Sequence, residues 1–226
     1  MKSGDSMTMR RLSGPTAFVA AGLLCLAAPV AQAHPHIFAE ARLEVDTSRA
    51  GGITELRHVW RFDEVFSSGV VLDFDTNKNL KLDPDELANV GTVVRDSLAE
   101  FNYFVSLTDN GKDIAVSPPD HMVADYQDGL LMLIFAVKPA SPTPLKGKLT
   151  VGIYDPTMYT AIDFIEDSDM VVTGEGASAC VRTVVRPDPD EVIAQNQGSL
   201  TDAFFNDPGG NDITKLFATR IELECK

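Results

Sequence analysis

The hydrophobic period of this chain changes twice, and nothing else in it constrains the fold as tightly. From Ile37 to Val45 apolar and polar residues alternate, Gly51-Gly52 supplies a turn, and "ITELRHVWRF" alternates again up to Phe62. That is the pattern of two half-buried strands joined as a hairpin. In the second strand Leu56, His58, Trp60 and Phe62 share one face, and Arg57, Val59 and Arg61 the other. The period then lengthens. Phe62, Phe66, Val70 and Phe74 recur every four residues, and Leu87, Val90, Val94, Leu98 and Phe101 continue at helical spacing. Two helices are expected, with a loop between them.

From Tyr103 onward a period of two returns. It runs through "YFVSLTDNGKDIAV", with Asn110-Gly111 as a hairpin turn, then "HMVADY", "LLMLIFAV", "KLTVGIYD", "YTAIDF", "MVVTG", "CVRTVV" and the closing "ATRIELEC". The Pro-rich "KPASPTPLKG" reads as a surface connection, and residues 187–214 as one short helix with polar flanks. The fold class expected is α+β: a mostly antiparallel, β-sandwich-like body with an EF-hand-like helix-loop-helix inserted at about residues 63–102.

Residues 1–33 read as a signal peptide. Arg10 and Arg11 precede an apolar run from Ala17 to Val30, and Ala31-Gln32-Ala33 has the small-x-small form of a cleavage site. The run is roughly 14 residues, short of the ~20 that cross a bilayer. A periplasmic location is expected, with cleavage after Ala33 and a single domain over residues 34–226. The leader holds three of the 19 basic residues (Lys2, Arg10, Arg11) and one of the 33 acidic ones (Asp5). The mature chain therefore carries 16 against 32, a net charge of −16, which disfavours nucleic acid and anionic membrane surfaces as partners. In an oxidising compartment the two cysteines of the mature chain, Cys180 and Cys225, are expected to pair as a disulfide.

"DTNKNLKLDPDEL" has the spacing of a twelve-residue calcium loop. Positions 1, 3, 5, 9 and 12 are Asp75, Asn77, Asn79, Asp83 and Glu86, all with side-chain oxygen, and Lys81 contributes its carbonyl at position 7. Position 6, where the turn favours glycine, is Leu80, so a weak or vestigial site is expected. Asp83-Pro84-Asp85-Glu86 is also a helix start in its own right, with an N-cap, a first-turn proline and an acid three residues on. Asp75, Asn77 and Asn79 at spacing two are what that simpler reading leaves unexplained.

Cleavage after Ala33 would place His34-Pro35-His36 at the new terminus, where an amine and two imidazoles offer nitrogen ligands to copper, nickel or zinc. Pro35 has no amide proton to lose, so the set would be completed from elsewhere, by His58 or His121. As structural residues, His58 is expected in the core beside Trp60 and His121 in an exposed loop. Asp63, Glu64 and Asp155 are read as caps and turn acceptors rather than an acid/base set, and "YDPTMY" as an Asp-Pro turn with Tyr154 and Tyr159 at the surface.

Taken together, "HPHIF", "HVWRFDEVFS", "LDFDTNKNLKLDPDEL", "FNYFVSL" and "IYDPTMYTAI", with paired cysteines late in the chain, resemble a family of uncharacterised bacterial periplasmic proteins labelled "ABC-type uncharacterised transport system, periplasmic component". The resemblance covers nearly the whole mature chain. The family's loop usually carries glycine where this chain has Leu80. Members often accompany nickel or cobalt permease-like genes, which implies a non-enzymatic accessory role beside a membrane transporter of transition metals. The alternative is an interaction or structural module that calcium stiffens. A copper oxygenase is the weakest reading, for no nucleophile motif or positioned second histidine is visible.

Overall fold

The computed structural model describes residues 35–206 and 213–226. It is α+β, and its strands form two sheets. The long hairpin of β1 (Ile37–Ser48) and β2 (Gly52–Phe62) leads into helices α1 (Glu64–Phe74) and α2 (Pro84–Leu98). Next come β3 (Val105–Asp109), β4 (Lys112–Ile114) and β5 (Val116–Ser117), then the hairpin β6 (Met122–Gln127) and β7 (Leu130–Pro139). The rest is β8 (Gly147–Ile153), β9 (Thr160–Asp163), β10 (Met170–Gly174), β11 (Cys180–Val185), α3 (Pro189–Asn206) and β12 (Arg220–Cys225).

One sheet follows the order β10-β1-β2-β7-β5, with β6 also on β7 and β9 also on β1; the other runs β11-β12-β8-β3-β4. Alternation gives each strand an inward apolar face, and these faces merge into one core. Leu43, Leu56, Trp60, Leu133 and Phe135 come from the first sheet, and Leu107, Leu149, Val151, Ile221 and Leu223 from the second. Trp60 stacks on Phe104, which links strand β2 to the turn that follows α2.

Three details differ from the expectation. β1 is paired in parallel by β9 along Ile37–Glu40 and by β10 along Leu43–Thr47, so the first sheet is mixed. Tyr103 and Phe104 do not start a strand: Asn102, Tyr103 and Phe104 take left-handed φ values of 52°, 56° and 59°. The Asn102 amide holds that turn, donating to the Val105 carbonyl at 2.6 Å and accepting the Val116 amide at 3.0 Å. The helix in the polar segment is long, with 18 residues and a kink at Asn196.

The two inserted helices are fixed to one hairpin. Ser67 of α1, fully buried, accepts the Leu131 amide of β7 at 2.9 Å and donates to the Asp63 carbonyl at 2.6 Å. On α2 the corresponding device is Gly91, where a Cβ would lie 2.1 Å from the Met122 carbonyl oxygen of β6. Only hydrogen at that position lets the helix backbone approach the strand so closely.

Cys180 and Cys225 are bonded, and they face each other in the register of β11 and β12. No described helix is long and apolar enough to cross a membrane.

Candidate functional site

The loop between α1 and α2 draws its five predicted oxygen side chains into one hydrogen-bonded set. Asp75 caps α1, its amide donating to the Val71 carbonyl at 2.9 Å. Its carboxylate accepts the Asn79 amide at 3.1 Å and the Leu80 amide at 2.6 Å. The Nδ2 groups of Asn77 and Asn79 donate to Asp83 Oδ2 at 2.7 and 3.0 Å. Glu86 is buried, with Oε2 accepting the Asp83 amide at 3.0 Å and Oε1 accepting the amide and hydroxyl of Thr76 at 2.8 and 2.7 Å. The Asp83 amide, followed by the Thr76 hydroxyl, holds the Glu86 carboxyl below the usual carboxylate range, so it faces the loop ionised.

Leu80 adopts the conformation that position 6 demands, with φ 62°, and 75% of its surface is exposed. The branched side chain is turned to solvent, and only the backbone carries the strain of about 1 to 2 kcal/mol. The Lys81 amide donates to Asn79 Oδ1 at 2.8 Å, and its side chain is exposed. Thr76, which sequence reasoning passed over, is the residue that clamps Glu86 across the loop. A threonine beside the first acidic position has no positional signature of its own. The chemistry of the set is oxygen-only: three carboxylates, two amides that present oxygen after a half-turn, and backbone carbonyls. That donor class suits a hard cation.

The histidines are not assembled in this way. His34 lies outside the described residues. The His36 amide donates to the Tyr159 carbonyl at 2.9 Å, and its ring sits 5.0 Å from that of Tyr159. His58 pairs in register with Leu43, seven positions along the chain from His36 and so roughly 23 Å away at ~3.3 Å per residue. It faces the core, where it stacks on Phe135 at 4.7 Å and meets Trp60 edge-on. Neither ring nitrogen has a hydrogen-bond partner, and burial pushes its pKa down to about 3. His58 is therefore the core histidine expected, and it is not available to complete a set with His36. His121 is exposed ahead of β6, at the opposite side of the sheet. Among the described residues no group of three or more His, Cys, Asp or Glu is placed to hold a metal by itself.

The acids outside the loop serve the backbone. Asp63 is the N-cap of α1: it accepts Val65 and Phe66 amides at 2.9 Å through Oδ1 and the Phe38 amide at 2.8 Å through Oδ2. Partial burial raises its pKa, and the amides of Phe66, Phe38 and Val65 together outweigh that and lower it. Asp155 is buried and accepts the Thr157 amide and hydroxyl at 2.7 and 2.6 Å and the Thr160 amide at 2.8 Å, which makes "YDPTMY" the turn expected. Its neighbour Tyr154 donates its amide to Phe104, and Tyr159 receives His36. The motifs "HPHIF", "FDE", "FNYF" and "YDPTMY" thus touch one another in pairs, which no spacing along the chain announces.

No curated protein matches the chain. The family model described as Protein of unknown function (DUF1007) matches residues 19–225, and the chain belongs to that family.

Proposed function

We propose that this is an exported, periplasmic metal-binding accessory protein whose loop from Asp75 to Glu86 takes calcium weakly. The observation that supports this most is the left-handed Leu80, with its amide on Asp75 Oδ2 at 2.6 Å, in a loop whose five oxygen side chains form one hydrogen-bonded set. Calcium would be held by Asp75, Asn77, Asn79, the Lys81 carbonyl, Asp83 and Glu86. The ion would supply no catalysis. It would offset two of the three ligand carboxylate charges in a loop that belongs to a mature chain of net charge −16.

A transition-metal role beside a membrane transporter is the second part of the reading. It rests on His34 and His36, on their place at the terminus that cleavage would create, and on the family resemblance. Copper, nickel and zinc are the cations such nitrogen ligands favour. Should that part fail, a periplasmic interaction module stiffened by calcium remains.

Elemental analysis of the exported, cleaved protein, purified without chelator, tests both parts. The expected result is substoichiometric calcium that dialysis removes, with copper, nickel or zinc bound more tightly by the authentic terminus than by a form extended by one alanine or by a His34→Ala/His36→Ala variant. Equal transition-metal binding in all three forms would leave the calcium-stiffened module.

A further inference from the structure

The nitrogen set at the terminus that cleavage would create is short of a ligand. His58 lies in the core and His121 at the opposite side of the sheet, so neither completes it. The parallel ladder of β1 and β9 brings another donor to His36. That ladder starts at Ile37 and Thr160, and just before it the His36 and Ile37 amides both donate to the Tyr159 carbonyl, at 2.9 and 3.2 Å. Met158 directly precedes Tyr159. With neighbouring strands ~4.8 Å apart and consecutive Cα atoms ~3.8 Å apart, the Cα atoms of Met158 and His36 lie within about 9 Å. A thioether and an imidazole reaching toward one ion between them span that distance.

The turn holds Met158 under strain. Its φ is 60°, in the left-handed region that costs an L-residue energy. Buried Asp155 imposes it: the carboxylate accepts the Thr157 amide and hydroxyl and the Thr160 amide, and the Asp155 carbonyl accepts the Met158 amide at 3.1 Å. These bonds close the turn on both sides of Met158. Strain that the surroundings over-determine in this way clusters at ligand clamps. It also has a geometric consequence. Strand alternation would send Met158 to the face opposite Tyr159, and a left-handed residue breaks that alternation beside the ring that the His36 imidazole approaches to 5.0 Å. Among the described methionines Met122 and Met170 are buried and Met132 is half-buried, whereas Met158 is 47% exposed.

We infer that Met158 completes the terminal site with its thioether and makes it a copper(I) site. The choice of metal follows from softness. A thioether is neutral and polarisable, so of copper, nickel and zinc it adds most for Cu(I), while zinc takes its sulfur as thiolate. The inference rests on the reading of His34 and His36 as ligands, and adds to it the third donor and the oxidation state of the metal. The loop from Asp75 to Glu86 takes no part.

The test is titration of the exported, cleaved protein with Cu(I), kept reduced by ascorbate and in competition with bicinchoninate, and separately with zinc and nickel. The parent is compared with Met158→Leu and with His34→Ala/His36→Ala. Leucine keeps the apolar bulk and removes the donor. The parent is expected to hold one Cu(I), and Met158→Leu to hold it at least about tenfold more weakly, the scale on which even an outer partner alters metal affinity. Zinc and nickel affinities and the melting temperature are expected to be the same in parent and Met158→Leu. X-ray absorption of the Cu(I) form is expected to show copper–sulfur scattering that Met158→Leu lacks. Equal Cu(I) affinity in parent and Met158→Leu, with a loss in the double histidine variant, would overturn the thioether and keep the terminal site. Equal affinity in all three would overturn both. Loss of Cu(I), zinc and nickel alike in Met158→Leu would overturn it by making Met158 a shaper of the turn, and so would a parent that takes zinc or nickel but no Cu(I).

Discussion

The Leu80 amide donates to Asp75 Oδ2 at 2.6 Å while Leu80 holds φ at 62°. A branched residue is thereby held where glycine rests without strain. Leu80→Gly removes a strain of about 1 to 2 kcal/mol and adds unfolded-chain entropy worth about 0.5 to 1 kcal/mol. The metal-free protein is expected to gain roughly 1 kcal/mol or less, measured by urea denaturation in chelator. A loss of stability would mean that the leucine side chain makes contacts the exposed position does not show.

His58 makes the fold sensitive to acid. Its folded pKa of about 3 lies below the ordinary 6.5, so the folded state keeps the ring neutral while the unfolded state takes up a proton. Above 6.5 this residue adds no pH dependence; as pH falls from 6.5 toward 3 it lowers stability by up to ~1.4 kcal/mol per pH unit. Glu86 and Asp63, whose pKa values are depressed, add losses of the same sign at lower pH. His58→Phe is expected to flatten the profile between pH 6.5 and 4.5 while leaving the acid limb below it. Superimposable profiles for parent and variant would contradict the burial argument.

Two helical glycines give opposite outcomes on substitution. At Gly69 of α1 a Cβ meets nothing within 4 Å, and Gly69→Ala is expected to stabilise by about 1 kcal/mol through helix propensity. At Gly91 of α2 the same Cβ would fall 2.1 Å from the Met122 carbonyl oxygen, so Gly91→Ala must lift the helix off β6. A loss of about 2 kcal/mol or more is expected, read from thermal melts of the two variants side by side.

The Cys180–Cys225 bond ties the edge strand β11 to β12 across 45 residues that include α3. In the chain-entropy view such a closure contributes roughly 4 kcal/mol. Mass spectrometry of the exported protein after non-reducing alkylation is expected to show no free thiol, and Cys180→Ser/Cys225→Ser to melt well below the parent. An unchanged melt would mean that the unfolded chain is already restrained in this region.

The strands were legible because their period is local. β1, β2, the Asn110-Gly111 hairpin and β12 fall where alternation places them, and the Phe66, Val70, Leu87 and Val90 stripes mark the helices. The inward face of β2 was equally plain, His58 included. Pairing of β1 with β9 and β10 was not legible, since residues more than 120 positions apart leave no mark in either strand's own pattern. Nor was the left-handed turn at Asn102, which depends on the Val116 amide fourteen residues on. In the loop the oxygen side chains were readable at their spacing, whereas the Thr76 clamp on Glu86 emerges only once the two helices have been placed. Ser67 had a partial signal: a polar residue four positions after the cap and buried in an apolar helix face needs a partner.

Calcium binding at the loop is the central claim, and isothermal titration of the mature protein tests it most directly. The parent is expected to bind one calcium in the ~0.1 to 1 mM range. Because Leu80 already holds φ at 62° without the ion, its strain is common to the free and the bound loop, so Leu80→Gly is expected to leave the affinity within a few-fold of the parent, and Glu86→Ala to abolish it. No calcium heat from either the parent or Leu80→Gly would contradict the account and leave the loop from Asp75 to Glu86 as a capped helical turn.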